Sequence, residues 1–167
     1  MVPILIVDDA REDLVFAQRV LTANRILNPL HLFSGGKDCL DYFMGRTTAV
    51  APQLPCIVFL DMIMKPVSGL EVLRKARNLP AAKGSLFIML SGLTDIKKIA
   101  EGYRLGASTF LIKPLVSAEL SQMLQSVNGL AMHRTSAGLF LSITASPASS
   151  LMPEEFAERP SPRARPD

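Results

Sequence analysis

The sequence predicts an α/β domain whose parallel sheet has five strands and is covered by helices on both faces. Five short segments are apolar almost throughout, and between them apolar residues recur at the spacing of an α-helix. Strands that are apolar along their whole length are buried on both faces, which requires a helical layer on each side of a parallel sheet. The predicted strands cover residues 3–7, 30–33, 56–60, 86–90 and 109–112.

Five amphipathic helices are predicted to alternate with these strands. Their apolar positions are, in chain order, Leu14, Ala17 and Leu21; Leu40, Phe43 and Met44; Leu70, Leu73 and Ala76; Ile96, Ile99, Ala100 and Tyr103; and Leu120, Met123, Leu124 and Val127. Ser117 has a side chain suited to capping the start of the fifth helix. Residues 45–55 are expected to form an exposed loop, because this longer connection contains two prolines.

The composition changes after about residue 130, so we place a domain boundary there. Residues 1–130 form the predicted α/β domain, and residues 131–167 form a Pro- and Ser-rich tail that we expect to be disordered. The apolar stretch at 139–143 is the exception, because it could add to a sheet edge or dock on a partner.

Charge and cysteine content exclude several classes of protein. The 167 residues include 18 Lys and Arg against 15 Asp and Glu, and an excess of +3 scattered along the chain does not indicate a nucleic-acid or anionic-membrane surface. No apolar run approaches the roughly 18 residues needed to cross a bilayer. Cys39 and Cys56 lack the spacing of a metal site, so we expect reduced core residues in a cytoplasmic protein. His31 and His133 stand apart from acidic partners and are expected to be structural or solvated.

Polar residues capable of chemistry stand where the predicted strands end. Asp8 and Asp9 follow the first strand, Asp61 the third, Ser91 the fourth and Lys113 the fifth. The carboxyl ends of parallel strands meet at one edge of a sheet, about 4.8 Å apart from strand to strand, so we expect the three carboxylates to share a small pocket. Taken alone, Asp9 would also suit the cap of the helix that begins near residue 11.

This pocket predicts a metal ion and phosphoryl chemistry. Three neighbouring carboxylates repel one another unless a cation neutralises them, and Mg²⁺ is the hard divalent ion that suits few carboxylates and a phosphoryl group. Lys113 offers a positive charge to one phosphoryl oxygen, and the Ser91 hydroxyl can donate to another. The predicted chemistry is phosphoryl transfer to a carboxylate, with Asp61 as the nucleophile.

Four motifs carry a resemblance to a known family. ILIVDD, IVFLDMIMKPVSGLEVL, IMLSG and GASTFLIKP occur in an order and spacing similar to those of the receiver domain of bacterial response regulators, from residue 3 to about residue 130. The resemblance implies the flavodoxin-like fold with sheet order 2-1-3-4-5. It implies these roles: Asp61 as phosphoacceptor, Asp8, Asp9, Asp61 and the backbone carbonyl of Ile63 as Mg²⁺ ligands, Ser91 and Lys113 as phosphoryl contacts, and Ser91 with Phe110 as switch residues.

Three local features follow from, or depart from, this resemblance. The Lys113–Pro114 peptide bond is expected to be cis, as is typical of the family. The family often has Pro four residues after the phosphoacceptor, whereas here Lys65 stands there and Pro66 follows, which alters a loop that a kinase touches. Phe110 stands where Tyr is common, so the switch residue has no hydroxyl.

The implied function is that of a single-domain response regulator, not of an enzyme with its own catalytic output domain. It would accept a phosphoryl group from a sensor histidine kinase or a histidine phosphotransfer protein and signal to a downstream protein target through a change of its binding surface. The segment NPLHLFSGGKDCLDYF and the loop after it are more similar to stand-alone regulators of bacteriophytochrome kinases than to DNA-binding regulators. Neither nucleic acid nor membrane is expected as a partner, and a homodimer is left open.

Three alternative functions are weighed against this one. An aspartate-nucleophile phosphatase needs a second carboxylate two residues after the nucleophile, where this chain has Ile63. A flavodoxin needs a hydroxyl- and glycine-rich loop for phosphate, which Asp8 and Asp9 would repel. A receiver-like interaction domain that works without phosphorylation remains open, although every expected pocket residue is present.

The residues beside the pocket predict a long-lived acyl phosphate. Ile63 and Leu93 stand two residues after Asp61 and Ser91, and neither side chain can orient an attacking water. We therefore expect slow self-dephosphorylation.

Overall fold

The computed structural model describes residues 1–47, 50–92 and 95–144. Its strands are β1 (Ile4–Val7), β2 (Leu30–Phe33), β3 (Ile57–Asp61), β4 (Leu86–Ser91), β5 (Thr109–Ile112), β6 (Leu130–Arg134) and β7 (Leu139–Ile143). Its α-helices are α1 (Arg11–Ala23), α2 (Gly36–Phe43), α3 (Gly69–Arg77), α4 (Ile96–Arg104) and α5 (Ser117–Ser126), and a 3₁₀ turn covers Pro80–Ala82.

Strands β1 to β5 form one parallel sheet in the order β2-β1-β3-β4-β5. This arrangement confirms the predicted fold class and sheet order. Strand order reverses at β1, since β2 lies on one side of it and β3 on the other, and ligands of such sheets bind beyond the carboxyl ends of the strands at this reversal. β3 and β4 extend one residue further than predicted, so Asp61 and Ser91 are their final residues.

Side chains from the central strands alternate between two hydrophobic cores. Every residue of β1, β3 and β4 is buried, as the continuous apolar runs predicted. Ile4 and Ile6 pack in the core under α1 and α5, whereas Leu5 and Val7 pack in the core under α2 and α3. The helices therefore cover both faces of the sheet, and the strand ends remain accessible between the two layers.

Two helix starts have the caps that polar side chains provide, but α5 does not use its serine in this way. The Ser68 hydroxyl accepts a hydrogen bond from the backbone of Glu71 at the start of α3, and Asp95 caps α4. Ser117 is the first helical residue of α5, after Val116, and not the residue before it. Its hydroxyl instead accepts from the side chain of Asn24, so the predicted cap is wrong because a neighbour at the end of α1 occupies the hydroxyl.

The disorder expected from residue 131 onward does not hold for residues 131–144. β6 and β7 form an antiparallel hairpin, and the side chains of Leu139 and Leu141 are buried in the core that α1 and α5 share. The Asn28 side chain donates to the carbonyl of Leu141 and accepts from its backbone N–H, each at 2.8 Å. The 139–143 stretch therefore pairs with β6 and packs on its own domain, and the domain extends past residue 130. Residues 145–167 of the predicted tail lie outside the described residues.

None of the helices within residues 1–47, 50–92 and 95–144 has both the length and the apolar character that crossing a bilayer requires.

Candidate functional site

The predicted pocket residues meet at the carboxyl edge of the sheet. Asp8 and Asp9 directly follow β1, and Asp61 is the last residue of β3, which pairs with β1. Each of the three carboxylates offers an oxygen, and these oxygens lie within 4.8 Å of one another. Asp8 and Asp61 are buried, whereas Asp9 is exposed at the mouth of the pocket. The parallel register brings together residues that are more than 50 positions apart in the chain.

Lys113 extends from the end of β5 into this cluster. Its Nζ lies 2.6 Å from Asp8 Oδ2, 2.7 Å from Asp13 Oδ2 and 3.4 Å from Asp61 Oδ1. The backbone N–H of Lys113 donates to the carbonyl of Ser91 at 2.9 Å, which fixes the start of this side chain at the end of β4. One ammonium group is therefore shared among three carboxylates.

The crowding of charges shifts two ionisation equilibria. Burial, together with the neighbouring charge of Asp8, raises the pKa of Asp61 to about 6 despite the opposing effect of Lys113. Burial by itself would lower the pKa of Lys113, but hydrogen bonds to Asp13 and Asp8 outweigh it and raise that pKa above its ordinary value. Lys113 is therefore cationic at neutral pH, and the pocket carries more carboxylate charge than this one ammonium balances.

Backbone N–H groups hold the three carboxylates in place. Ala10 donates to Asp8 Oδ1 at 2.9 Å, and Lys65 donates to Asp9 Oδ2 at 3.1 Å. The backbone of Ile63 donates to the Asp61 carboxylate. Asp9 does not cap α1, because the residue before that helix is Ala10 and Asp9 is engaged by the loop after β3.

Gly69 allows the start of α3 to approach Asp61 closely, and sequence reasoning did not single it out. A Cβ at this position would overlap the carbonyl oxygen of Asp61 and the Cα of Met62. The Gly69 N–H donates to the carbonyl of Met62 at 3.0 Å. A glycine eight residues after the candidate nucleophile was the available signal, and its role is to fix the backbone on which Asp61 stands.

Ser91 lies on β4, the strand next to β3, and Phe110 lies on β5, the edge strand beyond it. Ser91 is buried at the end of β4, and Phe110 pairs with Met89 across the β4–β5 ladder. The Phe110 ring is half-buried and packs on Tyr103 of α4, with 5.0 Å between the ring centroids. A Cβ on Gly102 would overlap this ring, so the glycine provides the space that it occupies. The peptide bond between Lys113 and Pro114 is cis. Leu93 and Thr94 lie outside the described residues.

Asp13 is the pocket residue that sequence reasoning missed. It lies in the first turn of α1, where an acidic residue is ordinary because of the helix dipole. Nothing in the local pattern links it to Lys113, which is 100 positions away. Only the fold brings the two groups together, because α1 begins at the same edge of the sheet at which β5 ends.

The remaining candidate residues are not part of this pocket. Burial raises the pKa of Cys56 to about 12 and raises that of Cys39 as well, so neither thiol is a nucleophile at neutral pH. The ring of His133 lies 2.7 Å from the Ser142 hydroxyl on the hairpin, and His31 packs beside Tyr42 at the β2 edge.

The arrangement is chemically suited to a divalent cation and to phosphoryl transfer. The three clustered side chains present hard carboxylate oxygens, and burial together with repulsion from Asp8 raises the pKa of Asp61. A cation at this position would remove that repulsion, so the donor set fits Mg²⁺. Asp61 offers a carboxylate oxygen as nucleophile, and Lys113 stands beside it as a cation.

Comparison with known proteins agrees with this geometry. A family model, the response regulator receiver domain, matches residues 4–125. The chain is 36% identical over 64 residues to the probable transcriptional regulatory protein SilR of Salmonella typhimurium, which is 38% of this chain and 27% of SilR. Among curated relatives, the chain spans between about a quarter and a half of their length.

Two solved structures share the fold. The bacteriophytochrome response regulator AtBRR is 25% identical, with a TM-score of 0.64 over 76% of this chain and 92% of that one. The bacteriophytochrome response regulator RtBRR is 23% identical, with a TM-score of 0.69 over 90% of this chain and 86% of that one. The second match covers more of the chain than residues 4–125, so it includes part of the hairpin or of the residues that follow.

Proposed function

The chain belongs to the receiver-domain family of response regulators, and we propose from this premise that Asp61 accepts a phosphoryl group from a histidine kinase or a histidine phosphotransfer protein. The observation that carries the proposal is the cluster of Asp8, Asp9 and Asp61 with Lys113 at the sheet edge. The proposed output is a phosphorylation-dependent change of the protein-binding surface.

The reaction is a displacement at phosphorus. An oxygen of the Asp61 carboxylate attacks the phosphorus of a phosphohistidine, and an O–P bond forms as the N–P bond breaks. The leaving imidazole keeps the electron pair of that bond and takes a proton from solvent. Lys113 stabilises the negative charge of the phosphoryl oxygens, and the Ser91 hydroxyl donates to one of them.

Asp8, Asp9 and Asp61, with the backbone carbonyl of Ile63, are the proposed ligands of Mg²⁺. When bound, the ion supplies positive charge for the phosphoryl oxygens and relieves the repulsion between the carboxylates. Asp9 is the accessible carboxylate of the three, and its oxygen bonded to the Lys65 N–H keeps it aimed at the pocket. Asp9→Ala is expected to remove most of the Mg²⁺ affinity.

Labelling by a small phosphodonor tests the proposal directly. The protein is incubated with acetyl phosphate, with Mg²⁺ or with EDTA, and the phosphorylated fraction is measured by intact mass. We expect phosphorylation with Mg²⁺ only, and its loss in Asp61→Asn. Asp38→Asn, which changes a carboxylate of α2 that is not a member of the cluster, is the matched control and should be labelled like the wild type.

Two outcomes would contradict the proposal. Full labelling of Asp61→Asn would place the phosphoacceptor elsewhere. Absence of labelling in the wild type, with no binding of the phosphoryl mimic beryllofluoride, would favour the alternative of an interaction domain that works without phosphorylation.

The kinase partner is proposed to be of the bacteriophytochrome type. The support is the likeness to AtBRR at 25% identity and the lengths of the segments after β2. Transfer from a phosphorylated bacteriophytochrome kinase to Asp61 should be faster than transfer from an unrelated histidine kinase at equal concentration. Equal rates would remove this assignment and leave the phosphoacceptor proposal intact.

A further inference from the structure

Lys113 is held by a carboxylate that is not one of the proposed metal ligands. Asp13 Oδ2 lies 2.7 Å from Lys113 Nζ, closer than the 3.4 Å that separates Nζ from the proposed phosphoacceptor. Asp13 projects from the first turn of α1, on the side of Lys113 that faces Glu12 and Phe16 in a cavity of about 230 Å³. The resting pocket therefore directs Lys113 toward α1 as well as toward the cluster.

We propose that Asp13 is a positioning residue that competes with the phosphoryl group for Lys113 and so weakens the phosphorylated state. This inference rests on the proposed function, because it concerns how the same pocket is tuned. Asp13 would act through Lys113 and not by contact with the phosphoryl group.

The argument begins with the number of donors. A lysine ammonium has three N–H groups, and in the resting pocket two of them are directed to Asp8 and Asp13 at hydrogen-bond distance. The third is left for Asp61 at the longer distance. A phosphoryl group on Asp61 would present several oxygens to the same ammonium, and beyond the one N–H already directed to Asp61 it would compete with Asp8 and Asp13 for donors.

Exposure decides which contact gives way. The Asp13 side chain is 48% exposed, against 2% for Asp8 and 7% for Asp61. Asp13 can recover hydrogen bonds from water when Lys113 turns away, whereas the buried carboxylates cannot. A contact that is stronger in the resting state than in the phosphorylated state favours the resting state. The Asp13 charge also repels a phosphoryl anion bound to Lys113.

Beryllofluoride binding measures this competition without requiring turnover. Affinity is obtained from ¹⁹F NMR titrations at fixed Mg²⁺ on the wild type, Asp13→Asn, Asp13→Glu and Glu12→Gln. Asp13→Asn should bind about two- to fivefold more tightly, as expected for loss of one partly exposed ion pair. Asp13→Glu keeps the charge within reach of Lys113 and should bind like the wild type. Glu12→Gln removes a charge from the same helical turn without an ion pair to Lys113 and should also bind like the wild type.

A second readout concerns the resting state alone. The ¹⁵Nζ resonance of Lys113, followed without Mg²⁺ or beryllofluoride, should move or broaden in Asp13→Asn and stay in place in Glu12→Gln. The melting temperature of each variant is measured as well. If Asp13 had only a structural role, Asp13→Asn would lower the melting temperature without changing the affinity for beryllofluoride.

The outcomes separate this inference from the proposed function. Equal or weaker binding by Asp13→Asn overturns the competition, since weaker binding would mean that Asp13 orients Lys113 toward the phosphoryl group. An equal gain in Glu12→Gln overturns it as well, because the effect would then come from the charge of the helix. Failure of the wild type to bind beryllofluoride overturns the proposed function together with the inference.

Discussion

At the scale of single residues, Asp61 carries a charge that the resting fold disfavours. Asp61 is buried, and its carboxylate shares one ammonium with Asp8 and Asp13. The proposed nucleophile needs its ionised form, so the same burial that would shield an acyl phosphate from water works against ionisation in the absence of a cation. This conflict gives the carboxylate a measurable effect on stability.

Asp61→Asn should stabilise the metal-free domain at neutral pH. The folded state raises the pKa of Asp61 to about 6 and so favours the protonated carboxyl. The stability that this preference contributes to the fold is fully present below about pH 4 and is lost as the pH rises through 6. At pH 7 in EDTA, the variant should exceed the wild type by about 1–3 kcal/mol in free energy of unfolding. Urea denaturation between pH 4.5 and 7.5 measures this difference, and a gap that does not shrink toward low pH would contradict the assigned cause. Added Mg²⁺ should also narrow the gap.

Ile63 tests the expected lifetime of the acyl phosphate. The residue is 47% exposed, so a polar replacement does not disturb the core. Ile63→Asn should speed loss of the phosphoryl group severalfold at fixed Mg²⁺, because an amide can orient the attacking water. Ile63→Val keeps an apolar side chain and is the control. If Ile63→Asn loses its phosphoryl group at the rate of the wild type, residue 63 has no role in the lifetime. Leu93, the second residue of this prediction, lies outside the described residues.

At the scale of elements, the hairpin of β6 and β7 is part of the domain. Leu27 donates to the carbonyl of Leu139, and Leu139 donates to that of Arg25, so the segment before β2 pairs with β7. The Arg25 guanidinium donates to the carbonyls of Ser136 and Ala137 in the turn of the hairpin. Gly138 fits only without a side chain, because a Cβ there would overlap the carbonyl of Arg25. Hydrogen bonds therefore hold the hairpin against the segment that follows α1.

Deletion of residues 135–167 should destabilise the domain, contrary to what the sequence predicts. It removes the buried side chains of Leu139 and Leu141 and leaves Asn28 without its partners on the hairpin. The loss should be about 3–5 kcal/mol in free energy of unfolding, with a clear drop in melting temperature. Deletion of residues 145–167 keeps every described hairpin contact and is the control. Equal melting temperatures for the two deletions would show that the hairpin contributes nothing.

At the scale of the whole molecule, the pocket and the face formed by α4, β5 and α5 lie on adjoining strands. Ser91 ends β4 beside Ile112 of β5, and Phe110 stands between the sheet and Tyr103 of α4. A hydroxyl drawn toward a phosphoryl group and a ring that moves in response would couple the two regions. A ligand can shift this equilibrium only by binding one of the two states better.

Phosphoryl mimicry should change the amide chemical shifts of residues 95–104 and 109–112. With beryllofluoride and Mg²⁺, shifts are expected in both segments, whereas β7, which is not part of this face, serves as the internal control. Gly102→Ala fills the space beside the Phe110 ring, so this variant should alter the shifts of α4 even without the mimic. Identical spectra of the wild type with and without bound mimic would contradict a two-state response.

The amino-acid sequence by itself determined the sheet and most of the pocket. Continuous apolar runs identified β1, β3 and β4 because a strand buried on both faces has no polar side. The edge strands β2 and β5 are only partly buried, and their predicted ranges, 30–33 and 109–112, match the structure residue for residue. In a parallel sheet the carboxyl ends of the strands lie at one edge. The sequence alone therefore predicts a shared pocket for Asp8, Asp9, Asp61 and Lys113.

Only the tertiary structure decided three other features, and all depend on contacts between distant parts of the chain. The Asp13–Lys113 ion pair joins two segments that no local pattern connects. Gly69 matters because α3 packs against the backbone of Asp61, and a sequence does not show how close two backbones come. Composition alone predicts that the hairpin is part of a disordered tail. The hairpin is ordered because Asn28 and Arg25 bond to its backbone and because its leucines pack in the core beneath it. Local pattern and strand order predict what each element is, but the partners of its side chains are set by the packing of elements against one another.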